Sequence, residues 1–199
     1  STAGGSSGGE GALIALRGSV LGVGTDIGGS IRMPALCCGI YGMKPSVGIV
    51  PFRGNRNPVH PGFLGHPPSA GPMATSARAC RYFLEVVMKA EPWRLDGTCH
   101  RIPWQPSMEE FSHRRLRIGC VENDGAFSVT PPMRRALQES SMKLSQAGHS
   151  IIPILLPDTA GLERSFMGSF ALDGNEVSIQ VLIGVLIFLY SYHSNPFPP

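Results

Sequence analysis

The chain has 199 residues, 42% of them hydrophobic and 16% charged, which places it among globular chains and excludes compositional disorder. Its formal net charge of +3, from 17 basic and 14 acidic residues, is too mild for nucleic-acid binding, and basic residues cluster no further than the pairs Arg114-Arg115 and Arg134-Arg135. Five cysteines with no C-x-x-C or Cys/His spacing read as buried free thiols in a reducing compartment rather than as a zinc site.

The chain begins Ser1-Thr2-Ala3-Gly4-Gly5, with neither a methionine nor the basic and apolar regions of a secretory signal. This start reads as a position inside a longer protein. Ten of the 25 glycines fall in residues 1–30, interleaved with apolar runs rather than forming a linker. Ser6-Ser7-Gly8-Gly9-Glu10 leads into a short buried helix, with Ser7 as N-cap and Glu10 closing a capping box. Val20 to Gly24 reads as a short buried strand, residues 26–30 as a tight turn, and Ile31 to Leu36 as renewed ordered structure.

Residues 45–72 carry Pro45, Pro51, Pro58, Pro61, Pro67, Pro68 and Pro72, so extended surface loops are expected there. Residues 75–89 have helical spacing, with Thr75 or Ser76 as cap. Residues 91–113 read as a polar loop. Arg117 to Val121 is a predicted strand, Pro131 to Gln146 a helix with proline in its first turn and Gly148 past its end, and Ile151 to Leu155 a second strand. That order implies a βαβ unit with a parallel pair. Val181 to Tyr190 is almost wholly apolar, but a helix needs roughly 20 such residues to cross a bilayer. A membrane-associating tail is therefore not favoured.

Two glycine-rich loops carry serines: Gly4-Gly5-Ser6-Ser7-Gly8-Gly9 and Gly24-Thr25-Asp26-Ile27-Gly28-Gly29-Ser30. Glycines beside a nucleophile permit unusual backbone angles and close approach of a substrate carbonyl. Successive N–H groups in such turns converge into a nest that holds an oxyanion. The first loop alone also fits a flexible linker. It lacks the Gly-Lys-Ser/Thr of a P-loop and the G-x-G-x-x-G of a dinucleotide site.

Taken together, residues 4–12, residues 24–35 and the run Gly39-Ile40-Tyr41-Gly42-Met43-Lys44-Pro45-Ser46 closely resemble the amidase signature family, which includes fungal acetamidases and fatty-acid amide hydrolases. The close match spans about residues 3–46 and a looser one, including Gly71-Pro72-Met73-Ala74, runs to about residue 160. The resemblance implies an α/β fold with a mixed β-sheet core flanked by helices. It implies amide hydrolysis through an acyl-enzyme by a Ser–Ser–Lys triad, a variant of the nucleophile–base–orienter logic. Ser30 matches the nucleophile and Ser6 the bridging serine, which follows a cis peptide bond. The backbone N–H groups of Ile27, Gly28, Gly29 and Ser30 match the oxyanion hole, where losing one donor raises the barrier by about 3 kcal/mol. Ser7, Asp26 and Arg32 match supporting polar residues, read as a buried hydrogen-bonded network without direct chemistry.

The family's lysine lies upstream of the first serine loop, and Lys44, Lys89 and Lys143 do not match it. The expected parent is a cytoplasmic hydrolase of small linear carboxamides, using neither metal nor organic cofactor. The literal chain is expected to be a fragment, inactive for want of a proton acceptor. An amidotransferase A-type subunit is a further alternative. Residues 1–176 read as the incomplete amidase domain. The apolar stretch 177–199 reads as translated intron, because Val177-Ser178-Ile179 is encodable as a splice donor.

Overall fold

The computed structural model describes residues 2–55, 66–105, 114–125 and 128–157, with 161, 165 and 168 also placed. The expected tail at 177–199 lies outside the described residues. The described residues up to Trp104 form one compact unit and those from Gln105 onward a second.

In the first unit the order is helix α1 (Gly8–Ala15), strand β1 (Leu21–Asp26), helix α2 (Arg32–Cys38), strand β2 (Tyr41–Gly42), strand β3 (Ser69–Ala74) and helix α3 (Ala77–Lys89). A short 3-10 turn follows at Pro92–Arg94. The sheet is antiparallel in the order β1-β3-β2. Leu21 lies opposite Ala74 and Asp26 opposite Ser69 on one side of β3, and Tyr41 lies opposite Ala74 on the other.

The central strand corrects the expectation of loop up to residue 72. Among the described residues the loop reading holds for 45–55 and 66–68, whereas Ser69–Ala74 is buried at every position. Its sequence has poor strand propensity, and tertiary packing overrides that weak preference. Side chains alternate across a strand, so Met73 and Ala70 face opposite ways, and each belongs to its own buried cluster. Met73 packs with Ile14, Ile31 and Ala35, while Ala70 packs with Val50 and Leu84. Pro72 has no N–H to donate, and prolines are normally kept out of central strands. Here its carbonyl accepts from Met43 N at 2.9 Å. The ring nitrogen therefore faces the side of the two-residue β2, and pairing with β1 is spared.

Helix α3 follows its sequence signals. The Ser76 side chain accepts from Ala79 N at 3.1 Å, and Cys80 and Leu84, one turn apart, are its buried residues. The thiols are less uniform than expected. Cys80 and Cys99 are buried, Cys38 and Cys120 are half-buried and Cys37 is exposed. Burial raises the Cys80 and Cys99 thiols above their ordinary pKa.

In the second unit β4 (Arg117–Cys120), α4 (Pro131–Gln146) and β5 (Ser150–Pro153) form the expected βαβ passage. β4 and β5 pair in parallel, with Ile118 opposite Ile151. No residue of α4 is buried within the described residues. The fold class is α/β, and the described antiparallel and parallel pairs lie in separate sheets.

Candidate active site

The first serine loop enters α1 through a cis Gly5–Ser6 peptide bond, as the family resemblance implies for the bridging serine. Ser7 holds the N-cap position of α1 but makes no side-chain capping bond. The expected capping box is not formed, because the hydroxyl has another partner. Ser7 Oγ accepts from Thr25 N at 3.2 Å and donates to Thr25 O at 3.3 Å. Its own N–H donates to Ser30 O at 3.0 Å. Ser7 thus fastens the first serine loop both to the end of β1 and to the second serine. This approach requires the absence of a side chain at Gly24, where a Cβ would stand 2.8 Å from Ser7 Oγ and 2.9 Å from Ile31 Cγ1.

The second loop is wound around one carboxylate. Asp26 closes β1 with only 1% of its surface exposed. Gly29 N donates to Oδ1 at 2.7 Å, and Ile31 N and Arg32 N donate to Oδ2 at 3.0 and 3.3 Å. Gly29 reaches this position at φ +126, a left-handed value that favours glycine. Ile31 and Arg32 stand at the start of α2, where backbone donors lack helical partners. Ile31, the N-cap residue, offers no side-chain bond, so Asp26 caps α2 from five residues upstream. Arg32 completes the network, with Nε at 3.1 Å from Oδ2 and Nη2 at 3.0 Å from Oδ1. Burial pushes the Asp26 carboxyl up, but the Arg32 guanidinium and the three backbone donors outweigh it and hold the group well below the usual carboxylate range. The Asp26 carboxylate, with desolvation opposing, raises Arg32 in turn.

These contacts bring both serines to one cavity of about 310 Å³, lined by Ser6, Thr25, Asp26, Ile27, Ser30, Phe52, Asn55 and Pro68. It is a volume suited to a small molecule. Of the four amides expected to form the oxyanion hole, Gly29 differs from the rest. Its N–H is committed to Asp26 Oδ1, whereas no protein acceptor engages the amides of Ile27, Gly28 and Ser30 among the described residues. The same turn that brings Ser30 forward thus also wraps the Asp26 carboxylate, which takes the Gly29 N–H.

Sequence reasoning missed Thr25, Phe52, Asn55 and Pro68 as cavity residues. It also missed Asp96, which holds the loop bearing Phe52. The dipeptide Asp96-Gly97 was a turn signal, but nothing in it marks a partner more than forty positions upstream.

The Amidase family model matches residues 1–187 of the chain. The chain belongs to the amidase family. It is 39% identical over 170 residues to an amidase of Gibberella moniliformis, a match covering 85% of this chain and 32% of that protein. It is 42% identical over 178 residues to fatty-acid amide hydrolase 1 of Sus scrofa, covering 89% of this chain and 30% of that one. Among solved structures, a fatty acid amide hydrolase superposes with a TM-score of 0.81 at 34% identity, over 91% of this chain and 32% of that chain. The chain therefore spans about a third of the length of these relatives.

Proposed function

We propose that this amidase-family chain carries the nucleophile side of a site that hydrolyses small linear carboxamides. Ser30 Oγ attacks the amide carbon and Ser6 relays the hydroxyl proton. The amides of Ile27, Gly28 and Ser30 stabilise the oxyanion that forms. The carbon–nitrogen bond then breaks, the amine leaves with the relayed proton, and water hydrolyses the Ser30 ester. The observation that carries this reading is that two loops distant in sequence deliver Ser6 and Ser30 to the same cavity, joined by the bond from Ser7 N to Ser30 O.

The test is labelling of the 199-residue chain with an alkyl fluorophosphonate, followed by peptide mapping. Ser30 is expected to take the label slowly, for want of a base, because a fluorophosphonate is far more electrophilic than an amide, and Ser30→Ala to take none. Label at another serine, unchanged by Ser30→Ala, would overturn the assignment.

A specific observation favours a second reading, in which these 199 residues alone turn over amides poorly. A serine hydroxyl needs a base to become a competent nucleophile. Lys44 Nζ lies 3.5 Å from the Pro45 carbonyl, and Lys89 pairs with Glu85 at 2.7 Å on α3. Lys143 is exposed in the last turn of α4, and neither Lys44 nor Lys89 lines the cavity. Hydrolysis of a simple amide by the chain is accordingly expected to fall orders of magnitude below that of a related amidase, since general-base assistance contributes about 10²–10⁴-fold. Comparable turnover would refute it.

A further inference from the structure

A second buried carboxylate stands outside the serine loops and takes no part in the chemistry proposed for them. Asp96 is 3% exposed. Its Oδ1 accepts from Thr98 N at 3.0 Å and from Thr98 Oγ1 at 2.7 Å. Its Oδ2 accepts from Phe52 N at 3.1 Å and Arg53 N at 2.9 Å. The carboxylate is thus divided, with one oxygen closing its own turn and the other gripping a distant loop. Two further bonds reinforce the grip: Arg53 Nη1 donates to Leu95 O at 3.1 Å, and His100 N donates to Gly48 O at 2.8 Å. No arginine or lysine pairs with Asp96 among the described residues, so its oxygens are satisfied by uncharged donors.

The gripped loop is the one that forms part of the cavity wall. Phe52 lines the cavity together with Ser6 and Ser30, and Asn55, whose N–H donates to Phe52 O at 3.1 Å, lines it too. One carboxylate oxygen therefore fixes the backbone of a loop whose Phe52 and Asn55 line the cavity together with the serines. A residue that holds this backbone sets what the cavity admits without touching the reacting atoms.

We propose that Asp96 is a positioning residue for substrate selection: by holding the Phe52 and Arg53 amides it fixes the Phe52–Asn55 wall of the serine cavity. The part that concerns substrates rests on the hydrolase reading above, while the clamp itself does not.

The test uses the full chain as wild type, Asp96→Ala and Asp96→Asn, with two readouts. The first is amide hydrogen exchange at Phe52 and Arg53. Losing a bond worth about 1 kcal/mol is expected to accelerate exchange about fivefold or more in Asp96→Ala, leaving the Met73 and Ala74 amides of β3 unchanged. Asp96→Asn retains one acceptor oxygen and is expected to fall between the two. The second is the ratio of labelling rates at Ser30 for ethyl and dodecyl fluorophosphonates. A displaced wall is expected to change this ratio about tenfold in Asp96→Ala, with partial return in Asp96→Asn.

A folded Asp96→Ala with unchanged exchange at Phe52 and Arg53 overturns the proposal, as does altered exchange with an unaltered labelling ratio. Should Asp96→Ala fail to fold, the amide proton shifts of Phe52 and Arg53 in Asp96→Asn decide it, and shifts identical to wild type overturn it. Wild-type protein that takes no label at Ser30 breaks the hydrolase reading instead, and the clamp is then judged on exchange alone.

Discussion

Asp26 and Asp96 are both buried carboxylates that gather backbone N–H groups, yet they hold their loops by different means. Asp26 collects donors from Gly29, Ile31 and Arg32, all within six residues, and adds a guanidinium. Asp96 collects donors from Thr98, two residues on, and from Phe52 and Arg53, 44 and 43 residues away. One builds a turn from the inside, and the other ties two segments that could otherwise drift apart. Local donors make a turn rigid wherever it is placed. Distant donors matter only once the surrounding packing has brought the segments together, so the Asp96 clamp depends on the fold more than it creates it.

The comparison is broken most severely at Asp26. Asp26→Ala leaves three backbone donors and the Arg32 guanidinium without their carboxylate. Orphaning buried donors of a charge-assisted network costs about 3 kcal/mol. A loss of unfolding free energy of that size is expected, read as a lower urea midpoint with the slope unchanged. Arg32→Ala is the informative partner experiment. The Arg32 side chain is 54% exposed, and exposed ion pairs contribute about 1 kcal/mol or less. Arg32→Ala should therefore cost a small fraction of the Asp26→Ala effect. Equal losses would mean that the ion pair, and not the wrapping of the turn, holds Ser30 in place.

The same contrast explains what could be read from the sequence. The serine loops, the turn at residues 26–30, α3 and α4 were legible because their signals are local: glycines at set positions, a serine before a helical run, a proline in a first turn. The ends of α4 at Pro131 and Gln146 are as the sequence implies. Strand β3 was not legible. Gly71 and Pro72 are loop signals, and only packing against Ile14, Ile31, Val50 and Leu84 makes the segment a strand. Ser7 was legible as a member of a hydrogen-bonded network but not in its partner, since its hydroxyl reaches Thr25 on β1 in preference to capping the adjacent helix. Asp96 was invisible for the reason that distinguishes it from Asp26, because half its partners lie far away in sequence.

The smallest expected effect separates the two carboxylates by acid. Both have folded-state pKa values depressed below the ordinary 3.8. The stability each contributes is therefore complete above about pH 4, where the unfolded chain is also ionised, and is lost as pH falls through the folded value. For Asp96 the Thr98 hydroxyl, followed by the Thr98 and Arg53 amides, outweighs burial and together with Phe52 N brings the group to about 2. For Asp26 the guanidinium and three amides carry it lower still. The urea midpoint of wild type relative to Asp96→Asn should be constant above pH 4 and shrink toward a floor near pH 2. The difference relative to Asp26→Asn should still be shrinking there. Carboxyl carbon shifts in an NMR titration read the same order directly. An Asp96 inflection at 3.8 would mean that its four donors do not favour the ionised form in solution, and that the loop bearing Phe52 is held by packing with Val50 and Leu84 instead.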